Sequence, residues 1–331
     1  MRVGVIGVGR MGLVHAGTLT DLAAASSVLV WDVDGELARR VGSQLGADVA
    51  PGLDELFGAV DAVVIAAASS AHAELLHAAA DAGLPAFCEK PISLDLASTV
   101  DVVDHVRRAR IPVQMGFQRR FDVGYLAAHE LVRTSALGTL YVVRMAGHDP
   151  EPPHEAYIPV SGGIFRDFSV HDFDALRFVT GQEVVEVYAD GAVVGFPVFS
   201  RYDDVDTAVV TLKLSGGPLG ILSVTRDDAY GYDVRMELIG SADCVAVGWD
   251  DRIPLRSVEQ GGPAAVHDPY PNFQDRFRPA YRDEMAAFLE VASGTRESPC
   301  TPEDALEALR VAVACDVSRR EHRPVRLEEV A

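Results

Sequence analysis

The chain has 331 residues, 48% of them hydrophobic and 24% charged, and its formal net charge is −20. Its length predicts about two domains. Its charge argues against nucleic acid and anionic membrane surfaces as partners, because both repel an acidic protein at long range. No apolar run approaches the roughly 20 residues that are needed to cross a bilayer. The fractions of hydrophobic and charged residues are typical of a globular protein.

The first 117 residues alternate short apolar runs with amphipathic stretches. They begin with "RVGVIGVG", "MGLVHAGTLTDL" and "VLVWDVD", and they end with "IPVQMGF". Continuous Val, Ile and Ala runs between helices predict a buried, doubly wound parallel sheet. We therefore expect an α/β Rossmann domain over residues 1–117.

The glycine-rich turn near the N-terminus predicts a dinucleotide site. The segment that we expect to contact the cofactor comprises Gly7, Gly9, Arg10, Met11 and Gly12. Gly7 allows the tight turn, Gly9 lets backbone amides approach a pyrophosphate, and Gly12 lets the helix pack closely on its strand. Asp32, at the end of the second strand, would accept hydrogen bonds from an adenosine ribose and repel a 2′-phosphate. This favours NAD over NADP; the alternative is a glycine turn that binds no ligand.

The motif "CEKP" places Lys90 at the carboxyl end of a later strand, on the same edge as the glycine turn. A cation there could bind a substrate hydroxyl and stabilise negative charge as its proton leaves. The alternative is an ordinary solvated lysine.

After residue 117 the pattern changes. A helix starts near Asp122, the strand "TLYVVRMAGHD" follows, and one helix is predicted over residues 161–181. Later runs such as "DTAVVTLKLSGG" and "YDVRMELIGS" have period-two character and are often joined by glycine turns, and two helices close the chain. The pattern predicts an α+β domain over residues 118–331, with a large open, predominantly antiparallel sheet.

Within the helix predicted for residues 161–181, Asp167 and His171 are four residues apart, about 40° around an ideal helix. They therefore lie on the flank of its apolar stripe. A neighbouring carboxylate raises the pKa of an imidazole and fixes which ring nitrogen carries a proton. Alcohol oxidation needs a base of this kind, while hydride leaves toward a nicotinamide. A purely structural pair fits the spacing equally well.

The four cysteines, Cys88, Cys244, Cys300 and Cys315, are scattered and lack a C-x-x-C spacing. The pattern predicts buried free thiols and a reducing, cytoplasmic location. It argues against a zinc site and against a disulfide framework, so no metal is expected.

The glycine turn, "EKP", "GFQRRFD" and "GGIFRDFSVHDFD" occur in the order typical of Gfo/Idh/MocA oxidoreductases. The chain resembles this family over essentially its whole length. The segments "GFQRRFDVGY", "DPEPP" and "FQDRFRPAYRDEMAAFLE" make it most similar to the inositol 2-dehydrogenases of the family.

This resemblance implies that Lys90, Asp167 and His171 form the catalytic group. His171 would be the general base, Asp167 its partner and a substrate ligand, and Lys90 a ligand of a substrate hydroxyl. The resemblance also implies contacts outside this group, with Glu89 and Lys90 at the cofactor and with Arg119, Asp149 and Tyr230 or Tyr232 at the polyol. The open sheet of the second domain would form a homo-oligomer, a tetramer or a dimer.

The predicted reaction is NAD-dependent oxidation of a cyclic polyol. The predicted substrate is myo-inositol, and the product is its 2-keto form. The alternatives are scyllo-inositol, an aldose or an amino- or deoxy-sugar, and a non-catalytic NAD-binding sensor. His148 and His154 depart from the family pattern, which has arginine and proline there, and they bear on the identity of the polyol.

Overall fold

The computed structural model describes residues 1–262, 264 and 266–330. The chain forms two compact units. The first contains Met1–Phe121 and Pro279–Glu307, and the second contains Asp122–Arg278 and the residues from Ala308 onward.

The first unit is built on a six-stranded parallel sheet. Its strands are β1 Arg2–Ile6, β2 Ser27–Trp31, β3 Asp48–Val49, β4 Ala62–Ile65, β5 Ala86–Glu89 and β6 Val113–Gly116. Their order is β3-β2-β1-β4-β5-β6, and every neighbouring pair is parallel. This order confirms the predicted Rossmann fold. In such a sheet a ligand binds beyond the carboxyl ends of the strands, where the order reverses between β1 and β4.

Helices connect these strands. They are α1 Arg10–Asp21, α2 Gly35–Leu45, α3 Leu53–Ala59, α4 Ser69–Asp81 and α5 Leu96–Ala109. Aspartates cap two of them, because Asp34 accepts hydrogen bonds at the start of α2 and Asp95 does so at the start of α5. Residues of β1 and β4 are buried on both faces, which explains why the sequence shows continuous apolar runs rather than alternation.

A late helix, α10 Arg278–Ala292, completes the core of the first unit. Its Met285, Phe288 and Leu289 join the apolar cluster that contains β1. The rings of Phe288 and Phe87 meet edge to face, 5.9 Å apart. The predicted boundary at residues 117 and 118 placed this helix in the second domain, whereas the structure divides the chain differently. Chain order cannot reveal which sheet a late amphipathic helix will cover.

The second unit contains a seven-stranded sheet. Its strands are β7 Leu140–His148, β8 Val184–Ala192, β9 Thr207–Leu214, β10 Leu219–Thr225, β11 Asp233–Gly240, β12 Cys244–Val247 and β13 Val325–Arg326. Their order is β12-β11-β7-β10-β9-β8-β13, and only the β7–β10 pair is parallel among the described pairings. The predominantly antiparallel sheet is therefore confirmed. The short β12 and β13 were not predicted.

Five more α-helices lie in the described residues. They are α6 Val123–Arg133, α7 Ile158–Ser161, α8 Val170–Thr180, α9 Phe273–Arg276 and α11 Pro302–Glu321. The division between the units falls inside α11, after Glu307. Helix α8 packs on α6 and on β7, so the second sheet has helical cover on one face.

The single helix predicted over residues 161–181 is interrupted in the structure. Helix α7 ends at Ser161, and Gly162 and Gly163 both adopt positive φ angles, 88° and 86°. Phe165–Ser169 then forms a π-helical turn before α8 begins. Angles based on 3.6 residues per turn therefore do not apply through Asp167, because a π-helix bonds residues five apart.

All four cysteines are free thiols, and three are buried as predicted. Cys244 is exposed instead, because it begins β12, an edge strand of the second sheet. Among the described residues, no helix has the length and apolar character needed to cross a membrane.

Candidate active site

The glycine turn connects β1 to α1 and has the backbone geometry that a dinucleotide requires. Gly7 has φ 84°, and a side chain there would meet the backbone of Ala67. A side chain at Gly12 would overlap the Gly7 carbonyl oxygen. At Gly9, by contrast, an added Cβ meets no described atom within 4 Å. The open position lies at the start of α1, where backbone amides favour an anion.

The other predicted cofactor contacts of this region lie around the turn. Arg10 is exposed and Met11 is half-buried, both in the first turn of α1. Asp32 directly follows β2, and its carboxylate accepts the Val8 amide at 2.8 Å and the Asp34 amide at 2.9 Å. The carboxylate is therefore fixed beside the turn and retains lone pairs for a ribose diol. These residues fit a dinucleotide with an unphosphorylated ribose.

Glu89 ends β5, and its side chain reaches back to α1. Its Oε1 lies 2.6 Å from Nε2 of His15, which is fully buried. Lys90 follows on the edge that carries the glycine turn and is half-buried. The Pro91 carbonyl oxygen is 2.7 Å from Nδ1 of His72, on α4. Burial lowers the pKa of His72, so a neutral imidazole supports the segment after Lys90.

Arg119 also belongs to the first unit. It lies in a 3-10 helix, Gln118–Phe121, and only 2% of it is exposed. Its proposed contact with a polyol remains a prediction from the sequence.

In the second unit, Asp167 lies in the π-helical turn and His171 in the first turn of α8. Oδ1 of Asp167 accepts the Tyr157 hydroxyl at 2.9 Å, and Oδ2 accepts Nη2 of Arg226 at 2.9 Å. Both His171 and Asp167 are partly exposed. The structure thus holds the predicted carboxylate in a defined orientation, close in the chain to the predicted base.

Asp149 directly follows β7 and lies near the same arginine. Its amide donates to the Thr225 carbonyl oxygen at 3.0 Å, and its Oδ2 is 3.4 Å from Nη1 of Arg226. One guanidinium therefore connects two of the carboxylates predicted to bind substrate. The side chain of Asp149 is 21% exposed, so it is partly accessible to solvent.

Arg226 and Tyr157 were not among the site residues predicted from the sequence. Arg226 follows β10 in the polar run "TRDDAYG", which has the composition of a surface turn. Tyr157 ends a short 3-10 helix after the proline-rich loop. His154 supports this turn, because its Nδ1 accepts the Ala156 amide at 3.2 Å.

His148 lies beside two carboxylates. Its Nδ1 is 3.3 Å from Oδ2 of Asp228 and 3.8 Å from Oδ2 of Asp233, and its Nε2 is 3.2 Å from the Ser223 hydroxyl. Although burial alone raises the pKa of Asp228, its hydrogen bond with His148 holds that pKa below the ordinary value. Arg235 already binds both oxygens of Asp233, so we assign no metal to this cluster.

The two candidate tyrosines differ in their surroundings. Tyr230 is 38% exposed, whereas Tyr232 is 4% exposed and packs edge to face against Phe273 and Phe277. Tyr230 therefore remains the candidate for a ligand contact, and Tyr232 is a packing residue.

Two family models match the chain. Residues 1–117 match the oxidoreductase family with an NAD-binding Rossmann fold, and residues 125–245 match the Gfo/Idh/MocA C-terminal domain. The first match agrees with the glycine turn and Asp32, and it identifies the cofactor as NAD.

Individual relatives match over the full length. A myo-inositol 2-dehydrogenase of Thermotoga maritima is 36% identical, and the match covers 100% of this chain and 99% of the relative. The crystal structure of a probable dehydrogenase from Thermotoga maritima has a TM-score of 0.94 at 35% identity, with 100% of both chains covered. A scyllo-inositol dehydrogenase from Lactobacillus casei, with bound NAD(H) and scyllo-inositol, has a TM-score of 0.88 at 26% identity, with 99% of both chains covered. The chain belongs to the Gfo/Idh/MocA family of NAD-binding oxidoreductases.

Proposed function

We propose that this protein oxidises a secondary alcohol of a cyclic polyol to a ketone, with myo-inositol as the substrate. The proposal rests on the Asp167 carboxylate, which two hydrogen bonds hold in place four residues before His171. A relative that matches over its full length is a myo-inositol 2-dehydrogenase. A polyol presents many hydroxyls, and carboxylates are suited to accept hydrogen bonds from them.

In this proposal, His171 accepts the hydroxyl proton, and Asp167 orients the imidazole and binds a substrate hydroxyl. Lys90 binds a hydroxyl and stabilises negative charge as the proton leaves. When bound at the glycine turn, NAD would supply the hydride acceptor. Asp149, Tyr230 and Arg119 are proposed contacts with the remaining hydroxyls, and Glu89 is a proposed cofactor contact.

A spectrophotometric panel tests the substrate. Purified protein is mixed with NAD and each of myo-inositol, scyllo-inositol, an aldose and an amino- or deoxy-sugar, and absorbance at 340 nm is followed. We expect the largest kcat/KM with myo-inositol. If no inositol raises the absorbance although the protein binds NADH, the inositol assignment fails.

The second candidate is scyllo-inositol, favoured by the fold shared with the Lactobacillus casei enzyme. The same panel distinguishes the two inositols by their kcat/KM values. A non-catalytic NAD sensor would bind NADH and turn over none of the panel.

We also propose that the protein works in the cytoplasm as a homotetramer. The free thiols support a reducing compartment. The second sheet supports assembly, because the outer face of β9 and β10 exposes apolar side chains: Val209 is 55%, Leu219 50% and Ile221 46% exposed. Contiguous exposed apolar surface of this kind marks interaction sites.

A further inference from the structure

Arg226 is buried among acidic groups in the second unit. Its side chain is 3% exposed, and its guanidinium carbon lies 5.5 Å from the centre of the Phe168 ring. Its amide donates to the Asp206 carbonyl oxygen at 2.8 Å. Burying a cation is costly unless it is paired, so the position of Arg226 requires an explanation.

Two carboxylates on different segments supply that pairing. Nη2 donates to Oδ2 of Asp167 at 2.9 Å, and Nη1 lies 3.4 Å from Oδ2 of Asp149. Burial by itself lowers the pKa of Arg226, but the charges of Asp167, Asp149 and Asp204 outweigh it and raise that pKa. The guanidinium therefore stays charged, and at these distances an opposite charge favours the ionised forms of Asp167 and Asp149.

The second oxygen of Asp167 is also engaged, because it accepts the Tyr157 hydroxyl at 2.9 Å. A carboxylate has about four lone-pair positions. The contact on each oxygen, from Tyr157 on one and from Arg226 on the other, sets the orientation of the carboxylate. Asp167 is thereby a fixed anionic acceptor rather than a mobile one.

We infer that Arg226 is a positioning residue for the reaction: it holds Asp167 and Asp149 as ionised, oriented acceptors for substrate hydroxyls. The inference rests on the proposed function, because it deepens the role of the same site. Under this inference the two residues have different roles. Asp167 stays ionised and orients the proton acceptor, and His171 alone changes its protonation state.

The fork of a guanidinium suits this role better than an ammonium does. Its separate N–H groups bind Asp167 and Asp149 at once, whereas a lysine is a single point charge. Arg226→Lys should therefore preserve the charge and lose part of the orientation. Arg226→Met should lose both.

The kinetic test compares Arg226→Met and Arg226→Lys with wild type on the best substrate of the panel. We expect Arg226→Met to lower kcat by about 10²-fold, the size typical of misplaced catalytic groups, with NADH affinity unchanged. The acid limb of its pH profile of kcat/KM should move to higher pH, because the charge of Asp167, no longer offset by a cation, then favours protonated His171 more strongly. In Arg226→Lys, the acid limb should lie at the wild-type pH, but kcat should remain below the wild-type value.

Arg276→Met is the matched control. Arg276 is 12% exposed at its side chain and binds Oδ2 of Asp122 at 2.8 Å in the same unit. We expect it to lower stability and leave the pH profile at the wild-type position. If Arg226→Met behaves like this control, Arg226 is merely structural and the inference is overturned.

A titration of wild type needs neither a variant of Arg226 nor a known substrate. The carboxyl carbons of aspartate are labelled with ¹³C, and the Asp167 signal is assigned with Asp167→Asn. We expect this signal to remain that of an ionised carboxylate below pH 4. If Asp167 takes up a proton above pH 5, the inference fails even if every inositol is oxidised. If no inositol is oxidised but the signal behaves as expected, only the substrate assignment fails.

Discussion

At Asp167, two donors from different parts of the chain fix one carboxylate. Tyr157 lies ten positions before it and Arg226 lies 59 positions after it. Spacing and family pattern predict Lys90, Asp167 and His171 as a group, and this grouping stays a prediction. They could not predict Arg226, because its partners are brought together only when β7, β10 and the π-helical turn fold against one another.

The first prediction concerns the base. His171→Ala should lower kcat by about 10²–10⁴-fold, because the hydroxyl proton loses its acceptor, while NADH affinity stays near that of wild type. Steady-state kinetics and NADH fluorescence titration measure both. His267→Ala, at an exposed histidine, is the control and should behave as wild type. Turnover within a few-fold of wild type in His171→Ala would remove His171 as the base.

At the scale of elements, the strand and helix pattern of the first unit, apart from β3 and α3, could be predicted because its central strands are buried on both faces and its helices have clear boundaries. The interruption between α7 and α8 could not. Gly162 and Gly163 lie within the segment predicted as one helix, but their positive φ angles end α7. A π-helical turn such as Phe165–Ser169 leaves no signature in hydrophobic spacing.

The second prediction separates binding from folding within the glycine turn. Gly9→Ala should fold normally, because the added methyl meets no described atom, and should weaken NADH binding because it enters the space beside the helix amides. Gly12→Ala should destabilise the unit itself, because its methyl overlaps the Gly7 carbonyl oxygen.

Thermal melts and NADH titrations of the two variants check this pair. Equal losses of melting temperature in Gly9→Ala and Gly12→Ala would contradict the assignment of separate roles.

At the scale of the whole molecule, a buried carboxyl makes stability depend on pH. Burial raises the pKa of Glu284 well above its ordinary value, and the charge of Glu89 adds to the shift. Neither oxygen of Glu284 has a hydrogen-bond partner among the described residues. The folded state therefore keeps a proton that the unfolded chain releases above about pH 4.3, so this group's contribution to stability falls as pH rises through that value.

The third prediction follows from Glu284. Glu284→Gln should melt at a higher temperature than wild type at pH 8, and the difference should shrink toward pH 4. Calorimetric melts across this range measure it, with Glu290→Gln, at an exposed glutamate of the same helix, as the control. Parallel curves for wild type and Glu284→Gln would show that Glu284 does not titrate abnormally.

The fourth prediction concerns assembly. Val209→Glu combined with Ile221→Glu should reduce the mass measured by light scattering toward that of one 35.5 kDa chain, because it places charges on the exposed apolar face of the second sheet. Val123→Glu changes an equally apolar, 81% exposed residue on α6 and should keep the wild-type mass. An unchanged mass in the double variant would exclude this face as the interface.

Because α10 packs into the core of the first unit, that unit cannot complete its fold early during synthesis. A ribosome-bound fragment that ends at Phe121 contains the whole parallel sheet but lacks Met285, Phe288 and Leu289. Its apolar surface near β1 stays uncovered until residues 122–278 and then α10 have been made, and long-range closure of this kind is slow and exposed to aggregation. The cofactor-binding unit, whose sheet is synthesised before the second unit, is therefore completed late, and chaperones have the longest access to it.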